Sequence, residues 1–192
     1  MVNRLSKSHI RLIDDYFRTH DDGEFCVCPA TFKSTRAGDS NHAETIIYTT
    51  KHHCLPRITG FENLREPIAT ISRGGIPTRD DLPFISGSSP SVARFFVGDA
   101  DPPDILVYSW LGEHLPIIWY GVNDDFLRRH GNLDYKVIRI PMTDSERKSI
   151  QMLSQICPDF RELLGECCSS LFDVGLKIEL EGAIIHRDEA QA

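Results

Sequence analysis

The clearest alternation of apolar and polar residues lies near the end of the chain, in the segment 176–185. Apolar positions alternate with charged ones over 176–181, and Glu179 and Glu181 are two residues apart. Side chains of an extended strand point alternately to its two faces. The pattern therefore predicts a half-buried strand with an apolar inner face and two neighbouring carboxylates on its outer face.

Apolar residues at helical spacing predict several helices. Ile10, Ile13 and Phe17 lie on one face of a predicted helix over 8–19. A helical face over 61–71 contains Pro67, which ends or kinks a helix. Thr143 with Glu146 three residues later has the form of a capping box. The other predicted helices are 88–96, 123–130, 143–155 and 159–171.

Stretches rich in β-branched and aromatic residues predict strands at 45–50, 55–59, 82–85, 105–110, 117–120, 135–140 and 176–185. Helices and strands interleave without a regular βαβ repeat. We therefore expect an α+β fold, with a mixed, largely antiparallel sheet and flanking helices. The expected organisation is a single domain over 1–192, in which the helix 8–19 and a loop-rich segment 20–44 lead into a core over 45–186.

Composition narrows the function classes. The chain has 192 residues, of which 41% are hydrophobic and 26% charged, and its formal net charge is −7. No long basic run is present, so nucleic acid is not the expected partner, although a local basic cleft stays open. No apolar run approaches the roughly 20 residues that span a bilayer. We expect no membrane association, a cytoplasmic location or export without a cleaved signal, and reduced cysteines.

Three separate motifs carry the candidate chemistry. The first is Arg57-Ile58-Thr59 on a predicted strand. The second is the turn Ser86-Gly87-Ser88, which follows the predicted strand 82–85 and precedes a helix containing Ala93 and Phe96. The third is Glu179-Leu180-Glu181 on the final predicted strand. Together they place an arginine, serine hydroxyls and two carboxylates on elements of one domain.

These motifs, in this order, resemble the ADP-ribosyltransferase superfamily, which includes NAD-using toxins. That family has a strand with Arg or His, a strand followed by a Ser-Thr-Ser turn and a helix, and a strand with Glu-x-Glu. Here the middle motif is Ser-Gly-Ser. Arg73-Gly74 is a second match to the first motif, but it lies only 13 residues before Ser86. The resemblance runs from Arg57 to residue 185.

The resemblance implies that NAD is the substrate and that ADP-ribose is transferred to a macromolecular acceptor such as a protein, or to water. Glu181 would bond the ribose 2′-hydroxyl and stabilise the positive charge that develops on the ribose. Glu179 would orient or deprotonate the acceptor. The implied NAD-binding residues are Arg57, Thr59, Ser86 and Ser88, with Arg73 as the alternative to Arg57.

Other interpretations compete with this one. Cys26-Val27-Cys28 and His52-His53-Cys54 are a possible zinc site, but one residue between the cysteines is closer than zinc sites use, and we expect no metal. His42-Ala43-Glu44 lacks the Pro-Cys-x-x-Cys partner of a zinc deaminase. A non-enzymatic acidic binding module of the immunity type stays open, because an acidic surface suits a basic partner.

Overall fold

The structure is a computed structural model that describes residues 43–51, 54, 68–72, 77, 79–86, 91–130 and 133–191. Several sequence predictions fall outside these residues, and the structure does not bear on them. They are the helix 8–19, the strand 55–59, and the candidate residues Cys26, Cys28, His52, His53, Arg57, Thr59, Arg73 and Ser88.

The main sheet has four parallel strands in the order β2-β1-β3-β4. The strands are β1 (Thr45–Thr49), β2 (Ile68–Ser72), β3 (Ala93–Val97) and β4 (Ile118–Trp119). All five residues of β1 are buried. Strands of a parallel sheet that is covered on both faces are buried along their whole length. The complete burial of β1 therefore places it at the centre of the fold.

Eight α-helices accompany the strands in the described part of the chain, and a 3₁₀ turn at Arg79–Asp81 precedes the first of them. The helices are α1 (Leu82–Ser86), α2 (Pro102–His114), α3 (Asp124–Arg129), α4 (Tyr135–Ile138), α5 (Asp144–Ile156), α6 (Phe160–Leu164), α7 (Glu166–Asp173) and α8 (Leu180–Gln191). None of the described helices is long and apolar enough to cross a membrane.

A small antiparallel sheet joins β5 (Arg139–Pro141) to β6 (Leu176–Ile178). An isolated bridge links this sheet to the chain just after β3, since the Ala100 amide donates to the Ile178 carbonyl over 3.0 Å. The bridge brings the start of α8 against the residues that follow β3. It therefore decides which side chains share the carboxyl edge of the main sheet.

The strand order creates a topological switch point between β1 and β3. The chain leaves β1 toward β2 on one side, then returns across β1 to β3 and continues outward to β4. The strand order therefore diverges from the β1–β3 pair, since β2 lies beyond β1 on one side and β4 lies beyond β3 on the other. In open α/β sheets, ligands bind in the crevice that this divergence leaves at the carboxyl ends of the strands.

The α+β class is confirmed, but the expectation of a largely antiparallel sheet is wrong, because all four main strands are parallel. The error arose from assigning the wrong type to apolar segments. Residues 82–85 form a helix, residues 93–97 form a strand, and residues 105–110 lie inside α2. Seven residues of α2 are buried around its circumference, and a short apolar run on a buried helix has the composition of a strand.

Other predicted boundaries also changed. Residues 68–71 belong to strand β2, and residues 135–138 form a helix before the short strand β5. The predicted helix 159–171 is divided into α6 and α7 at Gly165, whose φ of 84° favours glycine. The predictions of β1, β4, α3 and α5 are confirmed. The capping box of α5 is present, with the Glu146 amide donating to Thr143 Oγ1 over 3.2 Å and the Thr143 amide to the Glu146 carboxylate over 2.7 Å.

The predicted long strand 176–185 is wrong after its first three residues. Strand β6 ends at Ile178, and helix α8 begins at Leu180. The Leu180 amide donates to the Asp99 carboxylate over 2.8 Å. A side-chain acceptor for a free amide in the first turn stabilises a helix start, and here it comes from a residue 81 positions away. No local sequence pattern indicates a cap from a residue so far away in the chain.

Gly98 is required where β3 ends, which gives a test of the fold. A Cβ atom at Gly98 would lie 2.4 Å from Asp104 Oδ2 and 2.6 Å from the Phe96 ring. We expect Gly98→Ala to lower the free energy of unfolding by about 1–3 kcal/mol, as overpacking typically does. Urea unfolding of the purified protein measures the change.

Gly112→Ala is the matched control, because a Cβ there meets no atom within 4 Å and Gly112 lies inside α2. We expect that substitution to raise the free energy of unfolding by about 0.5–1 kcal/mol. Equal stability of the two variants would contradict the close packing at the end of β3.

Candidate functional site

The candidate site lies at the carboxyl edge of the main sheet, at the switch point. Thr50 and Lys51 follow β1 directly, and Asp99 and Asp101 follow β3. The segment that leaves β6 brings Glu179 and Glu181 to the same place. Each side chain comes from the end of a regular element, so the backbone of the fold determines their positions.

Asp104 anchors the buried side of the site. The Asp99 amide donates to Asp104 Oδ2 over 2.6 Å, and Thr50 Oγ1 lies 3.0 Å from both Asp104 carboxylate oxygens. Asp101 is the N-cap of α2 and accepts from the Asp104 amide over 2.9 Å. These bonds connect the ends of β1 and β3 to the first turn of α2.

Lys51 bridges two carboxylates from different parts of the chain. Its Nζ lies 2.9 Å from Asp99 Oδ2 and 3.1 Å from Glu181 Oε1. The Asp99 side chain is 2% exposed, whereas those of Lys51 and Glu181 are 23% and 27% exposed. The ammonium group is therefore held between one buried and one accessible carboxylate.

Lys177 forms a second bridge beside the first. Its Nζ lies 2.7 Å from Glu146 Oε1, 3.0 Å from Glu179 Oε1 and 3.6 Å from Asp101 Oδ2. Only 9% of the Lys177 side chain is exposed. An ion pair removed from water needs several partners to offset desolvation, and Lys177 has three. It ties α5 to β6 and to the start of α2.

Burial of these acidic groups changes their titration. Burial raises the pKa of Asp101 to about 7, and the nearby charge of Asp99 adds to the effect. The pKa of Asp104 is raised well above its usual range, by burial first and then by the charges of Asp101 and Asp99. Burial also raises the pKa of Asp99, although the Lys51 ammonium opposes that rise.

The two lysines keep their charge in this environment. Burial alone would lower the pKa of each, but the charges and hydrogen bonds of neighbouring carboxylates outweigh it and raise the pKa of both Lys51 and Lys177. Five carboxyl groups share the two ammonium groups at this edge: Asp99, Asp101, Glu146, Glu179 and Glu181. A sixth, Asp104, is bonded to Thr50 and to the Asp99 amide.

The structure separates the two glutamates of the Glu179-Leu180-Glu181 motif. Glu179 lies between β6 and α8 and pairs with Lys177, whereas Glu181 lies in α8 and pairs with Lys51. They do not share one strand face, as the alternation predicted. Ser86 ends α1, where its Oγ donates to the Leu82 carbonyl over 2.7 Å and its own carbonyl accepts from Arg94.

The sequence motifs did not predict five of these residues: Lys51, Asp99, Asp101, Asp104 and Lys177. A usable signal was present for two of them. Asp99-Ala100-Asp101-Pro102 follows a segment rich in β-formers, and an Asp before Pro is a typical helix N-terminus. Reading 93–97 as a strand would have placed both aspartates at the end of a strand. Lys51 and Lys177 carried no comparable local signal.

A cavity of about 450 Å³ lies beside this edge, where β4 leads into α3. It is lined by Trp119, Asn123, Asp125, Arg128 and Arg129. The Val122 amide donates to the Gly98 carbonyl over 2.9 Å, so the cavity wall follows the strand next to the one that presents Asp99. The acidic edge and the cavity are neighbouring features of the same end of the sheet.

No protein-family model and no curated protein matches this chain. Within the described residues, no three His, Cys, Asp or Glu side chains are arranged to hold a metal ion by themselves.

The raised pKa of Asp101 predicts a pH dependence of stability. From about pH 4, where an unfolded aspartate titrates, to about pH 7, folded Asp101 binds more protons than the unfolded chain does. Its contribution to stability is thus complete below about pH 4 and is lost as the pH rises through 7. A difference of one pKa unit corresponds to about 1.4 kcal/mol.

Asp101→Asn removes this titration and keeps an oxygen for the Asp104 amide. We expect the free energy of unfolding of the wild type to fall relative to that of Asp101→Asn between pH 5 and pH 7.5. Urea unfolding of both proteins across this interval measures the difference. Parallel pH profiles would show that Asp101 is ionised throughout.

Proposed function

We propose that the carboxyl edge of the main sheet is a Mg²⁺ site that presents the cation to a phosphate group of a bound ligand. The observation that supports this most directly is the ammonium of Lys51 held between Asp99 and Glu181. Two carboxylates from distant segments already surround a cation at the switch point, which is the expected ligand position in an open parallel sheet. A divalent cation would take the place of the ammonium group.

The ligand chemistry suits Mg²⁺. Among the described residues, the ion-pair partners of the Lys51 ammonium are carboxylate oxygens, and hard cations such as Mg²⁺ prefer carboxylate, carbonyl and water ligands. Mg²⁺ is commonly held by one or two carboxylates together with water and the phosphates of its substrate. Two protein carboxylates therefore suffice, and the lack of a third converging ligand among the described residues agrees with a cation completed by phosphate.

Electrostatics favour replacing the Lys51 ammonium group by a divalent cation. The edge carries more carboxylates than ammonium groups, and Asp101 and Asp104 have raised pKa values because burial and like charges disfavour their ionised forms. A divalent cation adds one more positive charge than the ammonium that it replaces. Glu181 is the more accessible of the two ligands, so its side chain is the one able to adjust to the incoming cation and ligand.

Bound Mg²⁺ would polarise a phosphoryl oxygen and stabilise the charge that develops during transfer. Within this chain, Asp99 would hold the cation while also capping α8 through Leu180. Displaced Lys51 would lie at the rim of the site with its ammonium free to contact phosphate. The proposed class of activity is thus Mg²⁺-dependent transfer or hydrolysis of a phosphate ester.

ADP-ribosyl transfer from NAD stays a second prediction, with its implied family fold. Of its candidate residues, the structure describes Glu179, Glu181 and Ser86, and the glutamates are engaged by separate lysines. The parallel sheet gives this prediction no added support. The non-enzymatic binding module also stays a prediction, and it would need neither Mg²⁺ nor NAD.

Cation binding tests the first proposal. We expect MgCl₂ to raise the unfolding temperature of the wild type, since a ligand at 100 times its Kd adds about 2.7 kcal/mol of stability. Glu181→Gln should weaken Mg²⁺ binding about tenfold or more, in the range seen when groups around a metal are removed. Titration of MgCl₂ against the unfolding temperature, with Mn²⁺ binding measured in parallel, provides the two readouts.

Two further variants test whether the effect of Mg²⁺ depends on the proposed site. Glu162→Gln changes an exposed glutamate on α6 and should leave Mg²⁺ affinity unchanged. Lys51→Met removes the ammonium that competes with Mg²⁺. In EDTA, we expect this variant to be less stable than the wild type. Mg²⁺ should restore its stability at a lower concentration than the one at which Mg²⁺ stabilises the wild type. If MgCl₂ does not change the unfolding temperature of any of the four proteins, Lys51 is a permanent counter-charge of Asp99 and Glu181, and the proposal is wrong.

Nicotinamide release from NAD separates the second prediction from the first. If ADP-ribosyl transfer is the activity, the wild type should release nicotinamide in EDTA, and Glu181→Gln should abolish release without loss of fold. Release that is absent with and without Mg²⁺ would remove NAD from consideration. Circular dichroism of the variant confirms that the comparison is made between folded proteins.

A further inference from the structure

Helix α8 begins at two charged groups that follow strands of the main sheet. The Leu180 amide donates to Asp99 Oδ1 over 2.8 Å, which provides the cap of the helix. Glu181, the next residue, places Oε1 3.1 Å from the Lys51 ammonium. The first turn of α8 is therefore held by Asp99 after β3 and by Lys51 after β1, and both contacts involve an ionised partner.

The two carboxylates on either side of Lys51 differ in how firmly the fold holds them. Asp99 follows β3, which pairs with β1 along all of its length, and its side chain is 2% exposed. The Glu181 side chain is 27% exposed and belongs to α8, the last element of the described chain. A terminal element opens at a lower free energy than the interior of a sheet does. A change of charge between them should therefore move α8 and leave β3 in place.

The Lys51 ammonium lies between two like charges. Its Nζ is 2.9 Å from Asp99 Oδ2 and 3.1 Å from Glu181 Oε1. Two carboxylates that approach one cation this closely repel each other when the cation is removed, and the repulsion is stronger because Asp99 is buried in a region of low dielectric. Such repulsion would push Glu181, and with it the first turn of α8, away from the end of β3.

Apolar packing opposes that movement. Leu180, Ala183 and Ile184 are three and four positions apart, so they share one face of α8. All three side chains are buried in the core. Burial of this face favours the closed helix through the hydrophobic effect, and the charges of the first turn either add to that effect or work against it. Which of the two they do depends on the cation beside Glu181.

We propose that α8 is a conformational switch, whose first turn stays closed on the end of β3 when a cation lies between Asp99 and Glu181 and opens when that cation is removed. In the wild type, the Lys51 ammonium is the cation. Mg²⁺ at the same position would keep α8 closed while it displaces Lys51. The role of Mg²⁺ rests on the proposed function, whereas the role of Lys51 depends only on the ion pairs.

The switch would make cation binding and closure of α8 a single event. Opening of α8 carries Glu181 away from Asp99, so an open edge would hold a divalent cation with only one of these two carboxylates. Linkage then requires that a cation bound more tightly by the closed form favours closure by the same factor. The state of the edge would thus be transmitted to the last described helix.

Amide hydrogen exchange measures the opening of α8 residue by residue. The Leu180 amide is bonded to Asp99, and the Ala183 amide donates to the Glu179 carbonyl over 3.2 Å, so both exchange only after the first turn opens. In EDTA, Lys51→Met should raise their exchange rates about tenfold or more, since removing one partner of a buried ion pair is strongly destabilising. Excess MgCl₂ should lower both rates again.

Two controls separate a local opening from general destabilisation. The amide of Leu111, a fully buried residue of α2, reports global unfolding and should accelerate less than the amides of α8. Lys148→Met makes the same substitution at an exposed lysine of α5 and should leave exchange in α8 unchanged. Equal acceleration in α8 and at Leu111, or none in α8, would overturn the proposal.

Glu181→Gln tests whether repulsion is the cause. It keeps the ion pair between Asp99 and Lys51 and removes the second negative charge. Adding Lys51→Met to Glu181→Gln should therefore accelerate exchange in α8 less than Lys51→Met does in the wild type. If the single variant Lys51→Met does not fold, the double variant should fold, because the repelling charge is gone. Equal acceleration in both backgrounds, or failure of both variants to fold, would count against the switch.

The response to Mg²⁺ separates this inference from the proposed function. Faster exchange in Lys51→Met that MgCl₂ does not reverse would leave the switch standing, with Lys51 as its cation, and would remove the Mg²⁺ site. The opposite result is a Mg²⁺-dependent rise in the unfolding temperature, with exchange in α8 of Lys51→Met equal to that of the wild type. That result would keep the Mg²⁺ site and overturn the switch.

Discussion

The carboxylate of Asp99 holds three distant parts of the chain together. One oxygen accepts from the Leu180 amide and starts α8, while the other pairs with Lys51 at the end of β1. The residue itself follows β3, whose register against β1 is set by a continuous parallel ladder. Because Asp99 is almost fully buried, removing either partner would leave a charge or a polar group without compensation in a region of low dielectric. The position of Glu181 depends on this side chain together with the Ala100–Ile178 bridge.

Charge balance explains why the acidic edge is built as it is. Two lysines are shared among five carboxyl groups, and each lysine bridges side chains that are far apart in sequence. Such bridges offset desolvation only through several close partners, which ties the ends of β1, β3 and β6 to fixed relative positions. An edge whose carboxyl groups outnumber its ammonium groups favours binding of a cation.

Local signals were sufficient for some elements. The β-branched run of β1 and the Thr143–Glu146 capping box of α5 each depend on residues that are neighbours in sequence, and both predictions are confirmed. The segments 82–85 and 105–110 were assigned the wrong type, because a short apolar run has no periodicity that distinguishes a strand from a buried helix. Those errors removed the βα alternation from the pattern and led to the antiparallel expectation.

By itself, the sequence determined the α+β class, the helices with caps of their own and the presence of Glu179 and Glu181 near the end of the chain. Only the tertiary structure decided that the sheet is parallel, that the two glutamates belong to different ion pairs, and that Asp99, Asp101 and Asp104 meet Lys51 and Lys177. The alternating pattern over 176–181 favoured a strand locally, but the Asp99 carboxylate provides a cap for Leu180 from 81 residues away. A contact of that separation is absent from every local window of the sequence, and it forms only when the packed sheet brings the two segments together.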